Sequence, residues 1–210
     1  MSPADIAFAI VLACSAVLAA LIAGRARPAS RDYLRFAAAL YLAFALCIGI
    51  STVWADPMTL VFADAVMLVI LALAPAALAL ALFANLEHPP STVIAAILLV
   101  LACLAGIAAA ASATPILSLA PSALGVLTMF ALCARHWRGE TRGIAHAFLS
   151  ACCLVCGAAA SLGGAKGQTA LVLFSAAAVL GFALALGRRS RVGVVNRHDL
   201  RNAVAIGKKG

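Results

Sequence analysis

Apolar residues fill seven stretches of this chain, running roughly through 4 to 23, 35 to 53, 59 to 84, 92 to 111, 115 to 134, 143 to 162 and 168 to 187. Polar residues gather between them. A bilayer core about 30 Å thick takes about 20 helical residues to cross, so each stretch predicts one span. Helices are also the only open-ended elements that satisfy every backbone group inside lipid. The expected fold is all-α and integral to the membrane: a seven-transmembrane-helix bundle over residues 1–187, followed by a basic tail over 188–210.

The basic residues sort onto one side of this pattern. With the amino terminus outside and alternating spans, 14 of the 15 Lys and Arg fall on the cytoplasmic side, and only Lys166 is left outside. Arg25, Arg27, Arg31 and Arg35 follow the first span, Arg135, Arg138 and Arg142 follow the fifth, and seven more lie in the tail. Lys and Arg in short loops resist translocation. The expected topology is therefore N-terminus outside and C-terminus cytoplasmic, in a membrane such as the bacterial inner (plasma) membrane. Met1 to Asp5 carry no Lys or Arg ahead of the first apolar run, which fits an anchor rather than a cleaved signal peptide.

Composition narrows the function classes. An apolar content of 66% and a mean hydropathy of +1.13 exclude an ordinary soluble domain. The net charge of +8 follows from the positive-inside distribution, so nucleic acid is not an expected partner and the lipid bilayer is. Seven cysteines all fall within predicted spans, where Cys behaves as a small apolar residue. Cys152, Cys153 and Cys156 form the densest group, and Cys152 and Cys156 share a helix face. They are either packing residues or soft-metal ligands, and His146 is the other ligand type in that span. No cofactor is implied.

Two positions inside span 3 carry possible chemistry. Asp64 is the one acid well inside a span. Intramembrane acids usually face a cavity or a partner, which makes Asp64 a candidate for proton or cation binding. Pro75, near the middle of the same span, removes a backbone hydrogen bond and predicts a bend that a ligand or a neighbouring helix could use. No set of convergent acid, base and nucleophile can be assembled from the remaining residues, so catalysis is not expected.

The tail carries one recognisable run, His198-Asp199-Leu200-Arg201-Asn202. It resembles the H-box of sensor histidine kinases, specifically the amino-terminal region of those with seven transmembrane helices. By that resemblance His198 is the phosphoacceptor and Asp199 the acid that readies its imidazole. The chain has Ala203 and Val204 where the family usually has Pro and Leu, and no glycine-rich ATP-binding segment occurs in its 210 residues. Arg188, Arg189, Arg191, Arg197 and Arg201 are also placed to contact anionic lipid at the membrane surface.

Three functions follow as expectations. The first is a membrane-embedded sensor module that relays a small or lipidic cue to the cytoplasmic tail, acting with other membrane subunits or a homodimer partner. The second is a non-catalytic accessory or assembly subunit of a larger membrane complex. The third is a small-solute or ion transporter built around Asp64 and the bend at Pro75.

Overall fold

A computed structural model describes residues 3–54, 56–87, 90–112, 116–137, 141–161 and 169–187. The described residues form seven helices and no strands. These are α1 (Pro3–Ala23), α2 (Pro28–Val53), α3 (Pro57–Leu86), α4 (Thr92–Ser112), α5 (Ile116–His136), α6 (Thr141–Ser161) and α7 (Thr169–Gly187). Each is long and apolar enough to cross a membrane, as an integral membrane protein requires.

Helix starts follow local chemistry. Pro57 opens α3 where its missing N–H costs nothing, and the Asp56 carboxylate accepts from the Thr59 amide at 3.3 Å. The Ser91 hydroxyl accepts from the Ile94 amide at 3.3 Å at the start of α4. Pro28 opens α2 in the same manner, seven residues before the apolar run that predicts this span. The polar run Arg25–Arg35 reads as a loop by composition. Even so, Ser30 and Leu34 are fully buried in the first turns, and the Ser30 hydroxyl donates to the Arg27 carbonyl at 3.0 Å. Burial of one face thus outweighs the charges on the other.

α3 is the hub. It packs on α2, α4 and α5, and 61% of its most apolar stretch is buried. α7 follows at 56%, while none of the other five exceeds 33%. α4 lies at the periphery and turns Ile94, Ile97, Leu101 and Leu104 outward. α7 touches α6 and α1, since Gly157 lies against Leu171 and Phe174 and Gly187 against Ile22.

Helices approach closely because glycine and alanine line the seams. A Cβ on Gly106 of α4 would lie 2.6 Å from the Val69 Cα of α3, closer than any side chain tolerates. Small residues at such crossings gain van der Waals contact that lipid-facing residues gain equally from lipid, so close approach is what makes association favourable. Gly106→Ala should therefore lower the unfolding free energy in detergent titrations by about 1–3 kcal/mol. Gly49→Ala, with nothing within 4 Å of the added carbon, should leave it unchanged.

Candidate functional site

Pro75 sits within α3 and is buried. Having no N–H, it leaves the Leu71 carbonyl, four residues earlier, without its helical donor. The Ser122 hydroxyl of α5 donates to that carbonyl. One turn further along α5, a Cβ on Gly125 would stand 3.0 Å from the carbonyl carbon and oxygen of Pro75, so the two backbones meet at the proline. Neighbouring helices and Ser or Thr hydroxyls commonly supply what a membrane proline removes, and here one helix supplies both the donor and the space.

A second contact joins the same two helices at the end of the bundle that carries Arg25, Arg27, Arg31, Arg35 and Arg135. α3 and α5 run in the same direction, with α4 returning between them, so their carboxyl ends lie together. His136 Nε2 and Glu87 Oε1 are 2.9 Å apart, and Arg135 Nη1 lies 3.2 Å from the same oxygen. A carboxylate past the C-terminus of α3 is disfavoured by the helix dipole, and the Arg135 guanidinium in the last turn of α5 offsets it. Both Glu87 and His136 are only partly exposed, which limits solvent screening.

The α1–α2 connection closes over this end. Arg27 Nη1 donates to the Asn85 carbonyl in the last turn of α3 at 2.9 Å, placing a cation where the dipole favours one. The Asn85 side chain is 1% exposed, and its carboxamide oxygen and nitrogen have no hydrogen-bond partner among the described residues. A buried amide left in this way costs about 1–3 kcal/mol. Trp137 and Phe148 meet edge to face, with ring centres 5.9 Å apart, beside the start of α6.

The structure separates the two positions singled out in α3. Asp64 faces outward from the bundle, whereas Pro75 is buried. Eleven residues of helix set them about 16 Å apart along the axis. Cys152 and Cys153 are half-buried and Cys156 is exposed, all as free thiols. Among the described residues, no three His, Cys, Asp or Glu side chains come together as a metal site. Arg188, Arg189, Arg191, Arg197, His198, Asp199 and Arg201 lie outside the described residues.

Sequence reasoning missed Ser122, Asn85 and the Glu87–His136 pair. Asn85 and Glu87 flank Leu86 at the end of an apolar run, and that clustering was the available signal. Their partners are 58 and 49 residues away in sequence, and only the packing of α3 identifies them. In a double-mutant cycle, Glu87→Gln and His136→Ala should show a coupling energy of about 0.5–3 kcal/mol in detergent unfolding. Additive effects would place the two side chains apart.

No protein-family model matches this chain, and no curated protein or solved structure matches it.

Proposed function

We propose that this protein is a membrane-embedded signalling module. Its amino terminus lies outside and its tail in the cytoplasm, in the bacterial inner membrane, and it relays a small or lipidic cue to residues 188–210. The reading is carried by one observation: α3 and α5 are tied twice, at the Pro75 bend through Ser122 and at the basic end through Glu87 and His136. Two ties along parallel helices make a strut, so a displacement at the bend is carried to the basic end.

Positive-inside sorting puts that end in the cytoplasm. From there the contacts continue toward the tail. Arg27 links the end of α3 to the α1–α2 connection, and Ile22 at the end of α1 packs against Gly187, the last residue of α7 before the tail. A switch also needs a second state close in free energy. The Asn85 carboxamide, which has no hydrogen-bond partner among the described residues, would gain bonds to water if this end opened, and that lowers the cost of an open state.

In this reading the H-box-like run at His198 and Asp199 is the output, handed on through dimer contacts of the tail. The seven basic residues of the tail would hold it near anionic lipid between signals. Substrate turnover plays no part. The cue enters from the membrane or as a small solute.

The test combines native mass spectrometry with hydrogen exchange of the full chain in nanodiscs. The expected result is a dimer whose tail amides are protected, with Glu87→Gln changing that protection while the unfolding transition persists. A monomer whose tail exchanges freely, and identically in the variant, would overturn the proposal.

A further inference from the structure

Asp64 poses a separate problem at the opposite end of the bundle. It lies seven residues into α3, about 10 Å along the axis from Pro57, and it faces outward. Pro57 and Val61 stand two turns and one turn nearer the helix start on the same face, so apolar side chains separate the carboxylate from that end. Val61 is 68% exposed and Phe62 is 71% exposed. Among the described residues, no hydrogen bond or ion pair reaches Asp64.

An acid at this position faces lipid unless another protein covers it, and intramembrane carboxylates that persist are normally paired. The chain's own described cations cannot serve. Arg25, Arg27, Arg31, Arg35 and Arg135 all sit at the other end of the bundle, and a second copy would bring its described cations to that same end. From the charge, the apolar surround and the absence of a cation at this depth among the described residues, we infer that the first turns of α3 form a docking face for a transmembrane helix of a different protein, one that carries a Lys or Arg level with Asp64. Phe62 and Val61 supply apolar contact around the ion pair.

This interface stands apart from the signalling reading. It concerns the other end of α3 and does not involve the tail, so a failure of the tail experiment leaves it untouched.

The test uses the full chain in lipid vesicles with a defined probe: a Leu/Ala transmembrane peptide bearing one Lys about 10 Å from its end, the depth set by helical rise. Control peptides carry Leu or Glu at that position. Association is read by resonance energy transfer between dye-labelled protein and peptide. The Lys peptide should bind about tenfold tighter than the Leu peptide, the ratio expected for one polar helix–helix contact in lipid. Asp64→Glu should keep that preference and Asp64→Leu should abolish it, with both variants keeping the helical signal and unfolding transition of the parent chain. Equal binding of the Lys and Leu peptides, or a Lys preference that survives Asp64→Leu, would overturn the inference. A preference for the Glu peptide, or self-association of the chain that depends on Asp64, would also overturn it, by assigning the face to a second copy.

Discussion

A proline in the middle of a membrane helix leaves one carbonyl without a donor, and lipid offers no water to replace it. In this chain the Leu71 carbonyl is in that position, and Ser122 of a different helix donates to it. The penalty for an unmet backbone group in hydrocarbon is large enough to dictate which helix lies beside the bend. α5 must therefore stand against α3 at this depth, and Gly125 lets its backbone come close enough to do so. The hub position of α3 follows, because a helix tied to α5 while its sequence neighbours α2 and α4 fold back on it is buried on several sides.

Energetically the bundle rests on many short-range contacts rather than on a thick core of large side chains. Alanine is the commonest buried residue in each of α1, α2 and α3, and a Cβ on glycine at the α3–α4, α3–α5 and α6–α7 crossings would meet the neighbouring helix at once. Such seams give steep gains over a narrow range of separation. A helix held this way slides or rotates only by leaving its groove, so the bundle favours discrete arrangements over continuous deformation. The basic end differs, since its contacts are longer side chains and charges, and the buried Asn85 carboxamide there has no hydrogen-bond partner among the described residues.

The spans were legible because length and apolarity are properties of contiguous sequence, and all seven have their helix in the structure. The start of α2 was not. Charge in Arg25–Arg35 reads as loop, whereas Pro28 and the buried Ser30 and Leu34 extend the helix through it. Pro75 was visible as a bend, but its partner was hidden, because Ser122 is one weakly polar residue among several and only packing selects it. Asp64 was visible as an intramembrane acid, but its outward orientation depends on how α3 is buried. Glu87 and His136 illustrate the same limit: both fall between predicted spans, and their pairing across 49 residues is a property of the parallel α3–α5 arrangement.

The central claim is that Ser122 holds α5 to α3 by serving the carbonyl that Pro75 leaves open. A double-mutant cycle of Ser122→Ala and Pro75→Ala, followed by reversible unfolding in mild detergent, tests it directly. Alanine at position 75 restores the amide that Leu71 lacks. The account predicts that Ser122→Ala destabilises the parent chain by about 0.5–1.5 kcal/mol and has little effect once Pro75 is replaced. An equal loss in both backgrounds would contradict it, because the hydroxyl would then be stabilising the bundle independently of the proline.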